Sequence, residues 1–173
     1  MSTKPIKLVF IQPGSAFVSE SIPLGLGYIT AICKKHGAEV KIVDGTGAYA
    51  KYTEEDMVRI CKDFSADAVG VVFMTSHIYK SYSLVEKLKV LKIPIIGGGY
   101  HASKFPEEIL EKGVDIALRG ETDITITELI DYLDGKKKLE DVKGISYIKD
   151  GQIVTTLPQP KVMNLDEIPL PDR

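Results

Sequence analysis

The stretch Ala68-Val69-Gly70-Val71-Val72-Phe73 is almost wholly apolar and rich in valine, and it decides the fold. Short apolar runs with β-branched residues are typical of strands that are covered on both faces. Such strands occur in parallel sheets with helices packed above and below. We therefore predict that this stretch forms a central strand.

The segments on either side alternate between strand and helix patterns. Further strand patterns occur at Ile6–Ile11, Glu39–Asp44, Pro94–Gly97 and Asp115–Leu118. Helical patterns follow the five strands in turn, at residues 24–36, at 53–64, from 76 onward, at 105–111 and at 123–133. This alternation predicts a three-layer α/β/α domain of Rossmann-like or flavodoxin-like type. The commonest arrangement for it is a five-stranded parallel sheet in the order 2-1-3-4-5, although the sequence alone leaves another order open.

The last part of the chain follows a different pattern. Ile145–Ile148 and Gln152–Thr155 flank Asp150-Gly151, a pair typical of a two-residue β-hairpin turn. The chain then becomes rich in proline, at Pro158, Pro160, Pro169 and Pro171. Proline disfavours helix interiors and central strands. We predict a domain at residues 1–157 and a linker at residues 158–173 that leads to a further domain.

Composition narrows the function classes. The chain has 173 residues, 44% hydrophobic residues and a formal net charge of −2, which suits one domain and gives no basic field for nucleic acid or acidic lipid. No apolar run approaches the length that spans a bilayer, and the polar start at Met1–Pro5 has no signal-peptide pattern. We expect a cytoplasmic protein without a nucleic-acid or membrane partner. Cys33 and Cys61 lack metal-site spacing and are predicted to be buried thiols.

The candidate site lies in the loops that follow the strands, because open parallel sheets bind ligands beyond the carboxyl ends of their strands. These loops are Gln12–Pro23, Met74–Tyr79, Gly97–Lys104 and Arg119–Asp123. Gly97, Gly98 and Gly99 indicate a floor without side chains that a ligand can approach closely. The alternative interpretation is a strand end that needs unusual backbone dihedral angles.

Polar residues in the same loops allow several interpretations. The hydroxyls of Thr75 and Ser76 suit a ligand with amide or phosphate groups, although Ser76 is equally an ordinary helix cap. His77 and His101 could bind a metal or move a proton, but no third ligand stands at a fixed spacing. We assign no metal ligand and no catalytic residue. Dinucleotide, P-loop and phosphoreceiver motifs are absent, and Ser15 alone gives little support for a flavin phosphate loop.

Five separate motifs, taken in order, resemble the cobalamin-binding domain that precedes radical SAM domains. They cover nearly the whole chain and are Pro23–Ile29 with Lys35–Val40, Gly97–Ala102 with Pro106–Glu108, Arg119–Glu121, Gly144–Tyr147 with Asp150-Gly151, and Leu165–Pro169 with Pro171. The resemblance implies a corrin ring on the strand ends, with its nucleotide tail beside strands one, three and four. The residues that would bind the cofactor are Gly14, Ser15, Leu24, Gly25, Thr75, Ser76, Gly97, Gly98, Gly99, Tyr100, His101, Gly120 and Glu121.

Two departures shape what the resemblance implies. Residues 12–23 have no histidine, whereas mutases and methionine synthase place a cobalt-binding histidine after strand one. The cofactor is therefore expected base-off, without a histidine ligand on cobalt. The chain also lacks the Cys-x-x-x-Cys-x-x-Cys run of radical SAM enzymes. S-adenosylmethionine and a 4Fe-4S cluster are thus expected only in a C-terminal radical SAM domain of the same polypeptide.

The whole protein is expected to act on a small molecule, by methyl transfer or by oxidative ring cyclisation. Two alternatives remain open at this point. One is a docking domain that keeps the fold but binds no corrin, and the other is a flavodoxin-like electron carrier.

Overall fold

A computed structural model describes residues 4–14, 23–47, 52–160 and 162–172. Seven strands form one sheet in the order β2-β1-β3-β4-β5-β6-β7. The strands are β1 (Lys7–Gln12), β2 (Glu39–Asp44), β3 (Ala68–Val72), β4 (Ile95–Gly98), β5 (Ile116–Leu118), β6 (Ile145–Lys149) and β7 (Gln152–Thr155). The helices are α1 (Leu24–Lys35), α2 (Glu54–Phe64), α3 (Ile78–Leu88), α4 (Tyr100–Lys104), α5 (Pro106–Glu111) and α6 (Asp123–Leu133).

The predicted strand order is confirmed for β1 to β5, which are all parallel. β3 lies in the centre, where Phe10 pairs with Gly70 on one side and Val69 pairs with Ile95 on the other. The predicted hairpin extends the same sheet, because β6 pairs antiparallel to β5 and β7 pairs with β6. Asp150 and Gly151 both have positive φ, at 52° and 76°, as the mirror-image hairpin turn requires.

The two faces of the sheet carry separate hydrophobic cores, as the three-layer prediction requires. Helices α2 to α5 pack on one face, which we call the closed face, around Phe73, Leu84 and Ile109. Helices α1 and α6 pack on the other, which we call the cavity face, around Phe10, Leu118 and Ile126. Cys61 is buried in the first core and Cys33 in the second, so the prediction of buried thiols is confirmed.

Helix α4 has no counterpart in the sequence prediction, which begins the fourth helix at Phe105. Gly99 has φ +100°, and this turn lets a helix start at Tyr100 directly after the strand. Phe105 has φ −130° and ψ 55°, because the residue before a proline is kept out of the helical region. Pro106 then starts α5. The segment is thus two short helices rather than one.

The C-terminal segment (residues 162–172) lies against α1. The Asp172 amide donates to the Gly27 carbonyl at 3.0 Å, and Lys35 Nζ donates to the Glu167 carbonyl at 3.2 Å. A Cβ on Gly27 would lie 2.9 Å from the Asp172 oxygen and 3.1 Å from Pro171 Cβ, so a glycine is needed at this crossing. The segment contains one 3₁₀ turn, Leu165–Glu167. The boundary between residues 157 and 158 stays a prediction.

Across the described ranges, none of the helices combines the length and the apolar character that a bilayer crossing requires.

Candidate functional site

A cavity of about 250 Å³ lies between the carboxyl-terminal halves of the strands and the helices of the cavity face. It lies over β1, β3 and β4 and reaches Gly98 and Gly99 at the carboxyl edge, where open parallel sheets bind ligands. Its lining consists of Phe10, Gln12, Pro23, Leu24, Gly25, Leu26, Ile29, Gly70, Val71, Val72, Ile96, Gly98, Gly99, Leu118 and Ile126. This wall is almost entirely apolar, which is typical of small-molecule sites.

Glycines on neighbouring strands shape the cavity. A Cβ on Gly98 would meet Leu118 Cδ1 at 3.5 Å, an ordinary contact, and Gly98 borders the open space. A Cβ on Gly70 would lie 2.4 Å from Phe10 Cδ1, so the Phe10 ring occupies the space above that glycine. Gly97 lies on the other face of the strand. A Cβ added there would lie 2.5 Å from Ile109 Cδ1, in the core of the closed face. The glycine floor that faces the cavity is therefore Gly98 and Gly99, without Gly97.

Among the described residues of the cavity wall, Gln12 has the polar side chain, and this side chain contacts a histidine. It ends β1 with only 9% of its surface exposed, and its Nε2 lies 3.3 Å from His77 Nε2. An amide nitrogen can only donate, so this contact holds the Gln12 side chain against the His77 ring. The other ring nitrogen, His77 Nδ1, is 3.0 Å from the Ser76 hydroxyl. Both ring nitrogens of His77 are thereby in contact with protein groups.

A second set of polar groups lies behind Thr75. The Thr75 hydroxyl is 3.1 Å from Nδ1 of His101, a buried ring that is 5% exposed. His101 Nε2 has no hydrogen-bond partner among the described residues, and Glu108 Oε2 lies 3.5 Å from it. Glu108 also accepts from the Tyr82 hydroxyl. Burial, and then the Glu108 carboxylate, raise the pKa of Tyr82, so this phenol stays protonated and donates.

The other predicted residues lie around the cavity rather than inside it. Gly120 has φ +72°, its amide donates to the Ser103 hydroxyl at 3.1 Å, and nothing lies within 4 Å of the position of a Cβ. Glu121 borders a second depression that also includes Gly25. Burial, followed by the charge of Glu121, raises the pKa of the neighbouring Asp123. Tyr100 is 67% exposed at the start of α4.

The structure thus gathers some of the predicted residues and separates others. Leu24, Gly25, Gly98 and Gly99 line the cavity. The remaining predicted residues do not: Thr75, Ser76, Tyr100, His101, Gly120 and Glu121 lie at other points of the loops, Gly97 faces away, and Gly14 borders a polar depression beside α2. Ser15 lies outside the described residues.

The predicted binding residues leave out much of the wall, namely Phe10, Gly70, Val72, Leu118, Ile126 and also Gln12, which was placed in a site loop but not among the binding residues. Two of these carried a signal. Gly70 interrupts a central strand that is otherwise apolar, which often marks a close approach to the backbone. Gln12 is a polar residue at the end of a buried strand. The others are ordinary core residues by sequence, and no pattern distinguishes them.

Comparison with protein families identifies a known domain in the part of the chain that contains the cavity. The profile of the B12 binding domain family matches residues 14–130. Within the described part of the chain, His, Cys, Asp and Glu side chains form no group of three or more that could hold a metal ion.

Relatives and solved structures agree with this match. The chain is 33% identical over 178 residues to the uncharacterized methyltransferase PH0819 of Pyrococcus horikoshii, a match that covers 97% of this chain and 38% of the relative. It is 29% identical over 160 residues to the anaerobic magnesium-protoporphyrin IX monomethyl ester cyclase of Synechocystis, covering 88% of this chain and 32% of the relative. The chain therefore spans about a third of the length of these relatives.

The structure of the cobalamin-dependent S-adenosylmethionine radical enzyme OxsB with aqua-cobalamin bound has the same fold. The TM-score is 0.87 at 19% identity, and the match covers 98% of this chain and 24% of that one. At 19% identity, the structural similarity shows that the two proteins share a fold. A function for this chain has to be inferred from its candidate site.

Proposed function

The chain belongs to the B12-binding domain family, and on this premise we propose that it binds cobalamin as the cofactor module of a radical SAM enzyme. The observation that carries the proposal is the apolar cavity that lies over β1, β3 and β4 on the cavity face and reaches Gly98 and Gly99 at the carboxyl edge of the sheet. A corrin ring is broad and flat, so it needs an edge where side chains are missing. The cobalamin nucleotide tail needs a narrow apolar slot beside that edge.

The residues present fit both needs. The space where a Cβ of Gly98 would lie borders the cavity. Gly120, outside the cavity, has nothing within 4 Å of the position of a Cβ. We propose that the corrin lies over Gly98, Gly99 and Gly120, with its amide groups in reach of Thr75 and Ser76, and that the nucleotide tail enters the cavity. Gly14, Ser15, Leu24, Gly25, Tyr100, His101 and Glu121 remain candidates for the surrounding contacts, whereas Gly97 would act by close packing behind the floor.

We propose that the cofactor binds base-off and without a histidine on cobalt. Both ring nitrogens of His77 face protein groups, Gln12 and Ser76. His101 is buried, with Nδ1 on the Thr75 hydroxyl. Bound cobalamin supplies a cobalt centre that can carry a methyl group. The chain's own part is to bind the corrin, to exclude water from the nucleotide tail and to hold the hydroxyls of Thr75 and Ser76 in place.

For the whole protein we propose a cytoplasmic enzyme in which a C-terminal radical SAM domain brings S-adenosylmethionine and a 4Fe-4S cluster. Methyl transfer to a small molecule is the first candidate, since one relative is described as a methyltransferase. Oxidative ring cyclisation is the second candidate, since another relative is described as a cyclase.

Retention of cobalamin on the purified chain tests the proposal. Hydroxocobalamin is added, unbound cofactor is removed by gel filtration, and the visible spectrum of the protein fraction is recorded. We expect corrin absorbance to travel with the protein. After reduction to Co(II), the electron paramagnetic resonance spectrum should show no splitting from a nitrogen ligand. Protein that elutes without corrin absorbance would favour a docking domain, and bound yellow flavin would favour the electron carrier.

A cavity-filling variant supplies the matched comparison. Gly98→Val places a branched side chain on the cavity wall and should lower cobalamin retention. Gln152→Val introduces the same side chain on β7, at the far edge of the sheet, and should retain cobalamin like the parent chain. Equal retention by the two variants would remove the cavity from the proposal.

A further inference from the structure

We propose that His101 and Glu108 together fix the direction of the Thr75 hydrogen bond, so that Thr75 accepts from an amide N–H of the bound corrin. The corrin carries several side-chain amides around its ring, and each amide can either donate or accept a hydrogen bond. The inference rests on the proposed function. It gives His101 a positioning role, and it gives Thr75 a preference for amides over carboxylates.

His101 is held at the junction of β3 and α4. Its backbone amide donates to the Phe73 carbonyl at 3.1 Å, and its ring packs against the Phe105 ring with 4.9 Å between the centroids. The residue is only 5% exposed. The ring therefore has little freedom to turn away from its neighbours.

The two nitrogens of the His101 ring have different surroundings. Nε2 has no hydrogen-bond partner among the described residues, and the carboxylate oxygen Oε2 of Glu108 lies 3.5 Å from it. A carboxylate at this distance attracts an N–H group and repels a nitrogen lone pair. The Tyr82 hydroxyl donates to the other carboxylate oxygen and so helps to hold the Glu108 side chain in place. The charge of Glu108 therefore favours a ring with its hydrogen on Nε2.

The direction of the Thr75 hydrogen bond follows from this placement. Nδ1 of His101 is then without a hydrogen, so it accepts from the Thr75 hydroxyl, which lies 3.1 Å away. A hydroxyl has one hydrogen and two lone pairs, so the Thr75 oxygen keeps a lone pair for an outside partner but no hydrogen.

Thr75 can offer this lone pair to a ligand. It is exposed directly after β3, in the loop that we propose to meet the corrin amides. An amide N–H can donate to the Thr75 oxygen, whereas an ionised carboxylate can only accept and finds no hydrogen there. Thr75 should therefore distinguish a corrin amide from a corrin carboxylate.

Nuclear magnetic resonance of the full chain tests the position of the ring hydrogen without any cofactor. Long-range ¹⁵N–¹H correlation spectra distinguish ring nitrogens with and without a hydrogen, and the signals that disappear in His101→Phe belong to His101. We expect a hydrogen on Nε2 and none on Nδ1. Glu108→Leu should raise the share of the other tautomer, whereas Glu107→Leu, an exposed position on the same helix, should not. A hydrogen on Nδ1 in the parent chain would overturn the inference.

Cobalamin and its monocarboxylic acids, in which one side-chain amide is hydrolysed, test the consequence for binding. Equilibrium dialysis with visible absorbance measures the affinity of the full chain for each compound. We expect at least one of the acids to bind about tenfold more weakly than cobalamin, within the range for a polar group left without its hydrogen bond. This ratio is the amide preference.

Variants of the two hydrogen-bonded residues connect the amide preference to the structure. Thr75→Val should reduce the preference at least about threefold, and Thr75→Ser, which keeps the hydroxyl, should preserve it. His101→Phe keeps an aromatic ring beside Phe105 but releases the Thr75 hydrogen, so it should also reduce the preference at least about threefold. Thr127→Val, where the hydroxyl donates to the Ile124 carbonyl on α6, is the matched control and should change nothing. Thermal denaturation checks that the variants are folded.

The outcomes separate the inference from the proposed function. If cobalamin and all of its acids bind equally well, or if His101→Phe leaves the amide preference unchanged, the corrin site stands and the inference fails. If neither cobalamin nor any acid binds, the proposed function fails and the inference fails with it.

Discussion

Gly97 and Gly98 are adjacent on β4, but their missing side chains have opposite consequences on the two faces of the sheet. On the closed face, Ile109, Phe73 and Val114 fill the space next to Gly97. On the cavity face, the space next to Gly98 stays open as far as Leu118. A glycine at a strand end therefore creates a binding surface only where side chains from elsewhere in the chain leave the space empty.

The largest expected effect comes from changing these two glycines in turn. Gly97→Val should destabilise the domain by about 2–3 kcal/mol, because the new side chain overpacks a filled core. Gly98→Val should cost less than about 1 kcal/mol, because its Cβ meets only an ordinary contact with Leu118. Urea unfolding monitored by circular dichroism measures both free energies. Equal losses in the two variants would show that the faces do not differ in packing.

A substitution at Gly70 tests whether the cavity face is tightly packed next to Phe10, even though it contains the cavity. Gly70→Ala should destabilise the domain by about 1–2 kcal/mol, because its Cβ would collide with the Phe10 ring at 2.4 Å. Phe10→Leu removes that ring, so the double variant should lose less than the sum of the single losses. A coupling of at least about 0.5 kcal/mol in a double-mutant cycle is expected. Strict additivity would contradict the contact.

A substitution on α1, where the C-terminal segment crosses the helix, should have a smaller effect on stability. Gly27→Ala should push the C-terminal segment away, because its Cβ would lie 2.9 Å from the Asp172 carbonyl oxygen. The Asp172 amide, which donates to Gly27, should then exchange its hydrogen at least about fivefold faster, as a loss of about 1 kcal/mol implies. Hydrogen exchange followed by nuclear magnetic resonance measures this rate. Gly25→Ala, where a Cβ meets nothing within 4 Å, is the matched control.

The smallest expected difference is in the reactivity of the two cysteines, one of which lies in the core of each face. Burial raises the pKa of Cys33 to about 12 and that of Cys61 to about 11. At pH 8 fewer than roughly one native thiol in a thousand is ionised, so neither should react with Ellman's reagent until the chain opens. Raising the pH to 9 increases the thiolate fraction about tenfold but leaves it small.

The order of labelling in partial denaturant then reports which face opens first. We expect Cys33 to react first, because its helix, α1, borders the cavity through Leu26 and Ile29. Fast labelling of either thiol in the native protein would contradict its burial. Earlier labelling of Cys61 would reverse the proposed difference between the faces.

The sequence by itself determined the alternation of five strands with helices and the hairpin at Asp150-Gly151, and it predicted the carboxyl edge as the place of the site. These features depend on local signals, since apolar runs, capping residues and turn glycines act over a few neighbouring positions. The resemblance to a cobalamin-binding domain also rested on short motifs in order along the chain, and the family match confirms it.

Only the tertiary structure decided which glycine faces an opening. The two-residue period of a strand places Gly97 and Gly98 on opposite faces, but it does not say which face is filled. That depends on Ile109 and Val114, which come from α5 and the loop after it. The contact of the C-terminal segment with Gly27 also joins residues that are far apart in the sequence. Packing between distant segments leaves no local pattern, because each partner alone is an ordinary apolar or glycine residue.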